Sequence, residues 1–389
     1  MRSQTGHNLL LTLLMTLMGL VANVFHTLAD RLAMFTGRPA GAAGFMVSVY
    51  AAGSLVSVLL TSGLSDRVGK RRMLAASLAA MAAGLLLISQ AAAEAPLLLG
   101  LFLFGFGFAP TEAMASALVG DENAGRSGGW MNVVQAGFGL GAIIGPLIAA
   151  AWLAATGQWQ GAFLICMGAT LAVLLVMVAT GWRRMKPAPA AEHPSLNIFG
   201  LLRDARFARL VLTIFLYLGY EGLAPAYVKQ HFLALGSGEA PASLMISVFW
   251  GTMILARLLG ALRAGHELRS IRFYAGLSLT GALLLAFSRQ AWLSAVAVAL
   301  FGFGCGPTWP MLMTLATGLF PQRSGSAVGV MMLGTMAGMS LFPWLIGTVP
   351  GNLTVTFALC AVLALLVGAV SHYSLTRGGR TEVAKQAAR

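Results

Sequence analysis

Acidic residues are scarce in this chain. Twelve Asp and Glu stand among 389 residues, against 25 Lys and Arg, and charged residues of both signs make up only 10%. A soluble globular domain carries about 25% charged residues, so the composition excludes an ordinary soluble fold. Cysteine is rarer still. Cys166, Cys305 and Cys360 all lie in apolar segments and none forms a C-x-x-C pair, which implies neither a disulfide framework nor a metal site. A nucleophile elbow, a phosphate loop and a metal cluster are also missing. No enzyme, no cofactor and no metal is therefore expected, and there are no candidate catalytic residues.

What is abundant is apolar sequence: 58% of residues are hydrophobic and the mean hydropathy is +0.81. Twelve apolar stretches are each long enough to cross a hydrocarbon core of about 30 Å as a helix. They run over 8–29, 43–64, 72–92, 96–119, 127–153, 160–181, 206–230, 241–262, 271–288, 291–319, 326–348 and 352–374. The first is too long for a typical signal peptide and has no clear small-x-small cleavage site, so it is kept as a membrane helix. The formal net charge of +13 invites a nucleic-acid partner, but its distribution argues otherwise. With a cytoplasmic N-terminus and alternating spans, only Arg31, Arg38, Lys229 and Arg289 fall outside and Arg257 within a span, leaving the other 20 basic residues cytoplasmic. That is the positive-inside bias, which sets insertion topology. A multi-pass protein of the inner (plasma) membrane with both termini cytoplasmic is expected, with the lipid bilayer and no nucleic acid among its partners.

The chain repeats itself. "LFGFGFAPTEAM" (103–114) matches "LFGFGCGPTWPM" (300–311) at an offset of 197. Without a gap, the same offset lays Arg126-Ser127-Gly128 on Arg323-Ser324-Gly325, Gly137 on Gly334, Gly141 on Gly338 and Pro146 on Pro343. Over residues 103–149, 16 of 47 positions are identical. Between the halves lies the one long polar stretch inside the chain, rich in Pro, Ala and basic residues, as suits a linker. The expected organisation is an all-α membrane protein with twelve transmembrane helices in two pseudo-symmetric six-helix bundles. The first bundle covers 1–181, a cytoplasmic linker 182–205, the second bundle 206–374 and a cytoplasmic tail 375–389. Parallel six-helix repeats are an architecture of secondary transporters, whose substrate sites lie near the midplane between repeats.

The loop after the second span, "GLSDRVGKRRML" (63–74), resembles the signature loop of the major facilitator superfamily at Gly63, Asp66, Arg67, Gly69, Lys70, Arg71 and Arg72. Gly69 permits a tight turn. Asp66 is able to accept hydrogen bonds from a helix N-terminus or to pair with an Arg, and to release them when the halves rock. The corresponding loop "GALRAGHELRSIR" (260–272) keeps its basic residues and lacks the Asp, so an asymmetric latch is expected. Gating is assigned to Asp66, Arg67, Gly69, Arg71 and Arg257. In the fifth span, Gly141, Gly145 and Pro146 resemble the Gly-x-x-x-Gly-Pro motif of antiporters in that superfamily; close helix packing accounts for the same glycines. The patches "FGLGAIIGP" (138–146), "YLGYEG" (217–222), "FWGTMILARLLG" (249–260) and "GFGCGPTWPMLMTLA" (302–316) resemble the fucose/glucose permease group within the superfamily. The resemblance implies a twelve-helix, cation-coupled carrier for sugars or related polar solutes.

Only two of the twelve acids fall inside spans, Glu112 and Glu221. A charge at membrane depth costs about 2.5–3.5 kcal/mol on insertion scales, so such a residue is a functional candidate by default. Glu221, Glu112 and His26 are the candidate proton-coupling residues. For Glu221 the alternative is a protonated carboxyl bonded to a backbone carbonyl. Glu112 lies about 24 Å from the outer end of its helix. Arg257 is expected at similar depth, where it pairs with Glu112, caps a helix or snorkels. The candidate substrate-binding residues are Asn23, Asn132, Gln135, Tyr217, Tyr220, Tyr227, Trp250, Thr308 and Trp309, since aromatic faces stack on sugar rings and amides and hydroxyls bond their hydroxyl groups. Pro307 and Pro310 should break the tenth span and free carbonyls for a ligand or a gate. The expected function is secondary active transport of a small polar solute by alternating access, coupled to protons, by a monomer. The alternatives are a proton-coupled exporter of drugs or metabolites and a non-transporting receptor or lipid-handling protein.

Overall fold

The computed structural model describes residues 2–38, 43–123, 126–179, 197–347 and 352–387. Among them there is no strand. The helices in chain order are α1 (Arg2–Phe35), α2 (Ala43–Val68), α3 (Lys70–Ser89), α4 (Glu94–Glu122), α5 (Ser127–Thr156) and α6 (Gln160–Ala179). They continue as α7 (Ala205–Ala234), α8 (Glu239–Gly260), α9 (Glu267–Phe287), α10 (Ala291–Cys305), α11 (Thr308–Leu319), α12 (Ser324–Gly347) and α13 (Leu353–Ala387). Eleven candidate membrane spans are straight enough to count singly, α10 and α11 together making one of them. The twelfth is α7, bent by 41° between Ala205–Leu223 and Tyr227–Ala234.

Several helices outrun their apolar stretches. α1 begins six residues before, and ends six residues after, the span expected at 8–29. Hydropathy reports only the part that sits in hydrocarbon, whereas a helix persists as long as its backbone bonds continue and its flanks find contacts. Most of the linker expected at 182–205 lies outside the described residues. Its end turns through a short 3-10 segment, Phe199–Arg203. Asp204 then caps α7, accepting from the backbone N–H of Arg206 at 2.7 Å. The Arg206 side chain, which also donates to it, holds the Asp204 carboxyl below the usual carboxylate range. At the other end, α13 continues helically through residues 375–387, where a tail was expected.

The tenth span breaks at Gly306–Pro307. Its counterpart in the first repeat stays whole: Pro110 sits inside α4, uninterrupted. The register explains the difference. Pro307 matches Pro110, but Pro310 matches Ala113. One proline removes one backbone donor and kinks a helix; two, three residues apart, end it. Pro310 becomes the third residue of α11, a position whose N–H has no intrahelical acceptor in any case.

The chain forms two compact units. The first comprises residues 1–124, 133–198 and 320–333. In it α4 packs on α2 and α3, α3 on α6, and α1 on α2, α4 and α6. α5 lies against α1 with almost no gap. A methyl group added at Gly141 would stand 1.9 Å from the Thr16 carbonyl oxygen, and one at Gly145 would stand 2.5 Å from that of Leu20. The second unit comprises 125–132, 199–319 and 334–389. There α9 packs on α10 and α13, α13 on α7, α10 on α8, and α11 on α7 and α9. α12 crosses α7 as α5 crosses α1: a methyl group at Gly338 would stand 2.2 Å from the Phe215 carbonyl oxygen. Register-equivalent glycines thus serve equivalent crossings, where small residues let backbones approach. Both units also gather aromatic side chains on register-equivalent phenylalanines. Phe25 and Tyr50 meet Phe104 at 5.7 and 5.0 Å between ring centres, and Tyr220 and Phe249 meet Phe301 at 5.9 and 6.1 Å. α5 and α12 each pass from one unit to the other near their N-terminal ends.

Candidate solute and proton site

A buried polar cluster inside the membrane spans belongs to the second unit. It is assembled from one face of α7, the middle of α8 and the α10–α11 break. Tyr217 and Tyr220 are fully buried, with ring centres 5.3 Å apart and nearly perpendicular. The Tyr217 hydroxyl donates to the Cys305 carbonyl at 2.9 Å. Arg257, only 3% exposed, donates from Nε to the Gly306 carbonyl at 2.9 Å. These carbonyls are the ones the broken helix leaves without N–H partners. Two side chains therefore occupy the backbone acceptors that the prolines released. Neither Cys305 nor Gly306 stands out from composition; the G-P-T-W-P pattern was the signal that carbonyls would be free there.

Glu221 lies one turn beyond Tyr217, half-buried, within electrostatic reach of Arg257. The Tyr217 hydroxyl is beside it as well, but its one proton goes to Cys305. Glu221 Oε2 is buried and accepts no hydrogen bond among the described residues. The same is true of the Tyr220 hydroxyl and of Thr308 Oγ1, although the Ser278 and Thr308 hydroxyls neighbour Tyr220. An unsatisfied buried polar atom costs about 1–3 kcal/mol, and three stand here, one on the acid and two on hydroxyls.

The remaining candidates of this unit are more scattered. Trp250 is half-buried, edge-on to Phe249 at 5.4 Å. Tyr227 is half-buried beyond the bend of α7. Trp309 is 5% exposed in the core of α11. Asn132 is buried at the start of α5; its Nδ2 donates to the Gly128 carbonyl at 2.8 Å, and its Oδ1 faces Gly260.

Four candidates belong to the first unit. Asn23 spends its amide on the Gly19 carbonyl at 2.9 Å. His26, one turn on, is exposed and lies 5.1 Å from the Phe25 ring centre. Glu112 is half-buried in α4, where its carboxylate is within electrostatic reach of Tyr50. Gln135 is buried in α5.

The signature loop also lies in the first unit. Asp66 Oδ1 accepts from the Gly325 N–H at 3.1 Å, and its Oδ2 accepts from the Ser326 N–H at 2.9 Å and from Ser326 Oγ at 2.5 Å. The acid thus sits on the positive end of α12. Lys70 Nζ is 3.7 Å from Asp66 and 2.7 Å from Asp121, which in turn accepts from Ser324 Oγ at 2.6 Å. Lys70, Asp121, Ser324 and Ser326 were not among the gating candidates; the signature loop was the sequence signal for Lys70, and the repeated Arg-Ser-Gly that for Ser324. Gly69 turns the chain at φ 98°, Arg71 pairs with Glu122 at 2.8 Å, and Arg67 is exposed.

A family model described as Major Facilitator Superfamily matches residues 8–343. Tetracycline resistance protein, class G, of Vibrio anguillarum is 26% identical over 382 residues, covering 93% of this chain and 88% of that protein. Multidrug resistance protein MdtL of Citrobacter koseri is 23% identical over 338 residues, covering 82% of each. Among solved structures, the fucose:proton symporter FucP of E. coli superposes with a TM-score of 0.80 at 16% identity, over 96% of this chain and 99% of that one. That likeness establishes a shared fold. The chain is a multi-pass integral membrane transporter rather than an enzyme, and, by a match running from its first span to its eleventh, it belongs to the major facilitator superfamily.

Proposed function

We propose that this transporter moves a small polar solute, a sugar or a related compound, by proton-coupled alternating access, with Glu221 as the coupling acid. The observation that carries the reading is the orphaned Glu221 Oε2 beside Arg257, with the Tyr220 hydroxyl and Thr308 Oγ1 equally unpartnered. A carboxylate balanced against one cation in a membrane helix loses that balance on protonation. A solute carrying hydroxyl groups would complete the hydrogen bonds these three atoms lack. In this reading Tyr217, Trp250, Trp309, Tyr227 and Asn132 of the second unit contact the solute, while Asn23 and Gln135 of the first are further solute-binding candidates and His26 and Glu112 further proton-coupling ones. Asp66, with Arg67, Gly69 and Arg71, latches the cytoplasmic side. The protein acts as a monomer in the inner membrane with both termini cytoplasmic. The twelve helices divide functionally at the linker, into bundles 1–181 and 206–374.

The test is a proteoliposome with a pH-sensitive dye inside and a panel of sugars outside. Solute-dependent acidification of the lumen that is lost in Glu221→Gln is the expected result. Acidification unchanged in that variant would remove Glu221 from the coupling path.

A second reading is export of drugs or metabolites in exchange for protons, and the names of the two resistance relatives favour it. It expects no proton movement with any sugar and alkalinisation or acidification driven by lipophilic cations under a reversed gradient.

A further inference from the structure

The second-half loop that follows α8 has no aspartate where the first-half loop has Asp66, and the residue in that register is Arg263. Arg263 is not aimed at a helix start. Its guanidinium lies over the Phe273 ring, 5.1 Å from the centre. A carboxylate does stand nearby, one turn later. α3 begins at Lys70 and α9 begins at Glu267, the same offset of 197 that relates the repeats, so Glu267 takes the register of Lys70. Its Oε1 accepts from the Gly265 N–H at 2.8 Å. The same oxygen would be only 2.5 Å from a methyl group placed on Gly128, in the first turn of α5.

Gly128 is the register partner of Gly325, the glycine on which Asp66 rests. There too a methyl group would meet the acid, at 2.7 Å from Asp66 Oδ1. The two glycines therefore do the same thing: each clears space for a carboxylate over the opening turn of a helix. Neither is needed for backbone freedom, since neither has a positive φ. A helix start carries a partial positive charge and free N–H groups, so an acid held there favours the helix. The longer Glu side chain makes up for starting one turn further along.

We propose that Glu267 is the second-half counterpart of Asp66, a latch acid docked on the first turn of α5, so that the cytoplasmic fastening is two-fold rather than one-sided. This rests on the alternating-access reading, in which both latches let go during the cycle. The contact itself is testable without any solute. Hydrogen–deuterium exchange of the full chain in lipid nanodiscs reports the first turns of α5 (127–134) and α12 (324–331) separately. Glu267→Gln should speed exchange in 127–134 roughly two- to fivefold and leave 324–331 as in the wild type. Asp66→Asn should do the reverse. Gly128→Ala, which pushes the carboxylate off the turn, should add little in the Glu267→Gln background. Exchange in 127–134 unchanged by Glu267→Gln, or additive effects of the two changes, would overturn the proposal. Because no transport is measured, neither result depends on Glu221 being the coupling acid.

Discussion

Replacing Arg257 with Met is expected to cost this protein about 3 kcal/mol of stability, the lower end of what breaking a buried charge pair costs. The change strips the Gly306 carbonyl of its donor and leaves Glu221 without the one cation shown to act on it. Met fills much of the volume of the Arg stem, so the loss is electrostatic and not a cavity. The diagnostic is non-additivity. With Glu221→Gln already in place, no carboxylate beside Arg257 remains to be stranded, and the same Arg257→Met change should cost less, on the order of a hydrogen bond such as that to Gly306, about 1 kcal/mol. Thermal melts of the four proteins in detergent measure the cycle. An equal cost in both backgrounds would show that the Arg257 charge does not serve Glu221.

The second large effect is steric. Gly141→Val should remove most of the folded protein from a membrane extract, and Gly141→Ala should already lower the melting temperature. A methyl group there would lie 1.9 Å from the Thr16 carbonyl oxygen and 2.6 Å from the Leu20 nitrogen, both backbone atoms of α1. Side-chain flexibility offers no relief, so α1 and α5 must separate along the whole crossing. Overpacking a rigid core costs about 1–3 kcal/mol, and a lost backbone crossing belongs at or above the top of that range. Gly168→Ala in α6 is the control, because nothing lies within 4 Å of the added methyl group. It should be neutral or slightly stabilising, since Ala is favoured over Gly in a helix by about 1 kcal/mol. Similar melting temperatures for the two alanine variants would mean that the α1–α5 crossing is slack.

The comparison of sequence with structure divides along one physical line. Whatever depends on solvent is legible locally. The spans and their number follow from where water must and must not be, and the break before Pro307 follows from missing backbone donors. The repeat was legible because its glycines, prolines and Arg-Ser-Gly resist drift in register. Partnership was not legible. Nothing within "YLGYEG" says that Tyr217 spends its proton on a carbonyl 88 residues away, or that Tyr220 does not. Glu267 was missed because the register pointed to Arg263, while the acid had moved one turn and lengthened by a methylene. The bend in α7 was missed although Pro225 stands between its two arms, because hydropathy has no term for direction.

The hold of Asp66 on Gly325 and Ser326 has a consequence for how the protein is made. Its partners lie 259 and 260 residues further along the chain. At about 5–20 residues per second of synthesis, the interval between them is on the order of 13–50 s. During that time the first six helices are inserted in the bilayer while Asp66 and Asp121 have no α12 to bind. A nascent chain interrupted before residue 320 would carry an acidic seam whose acids lack their α12 donors, and a finished one would not. That seam is a physical mark by which membrane quality control could tell an incomplete chain from a complete one, and its closure is the moment at which the amino-terminal half stops being provisional.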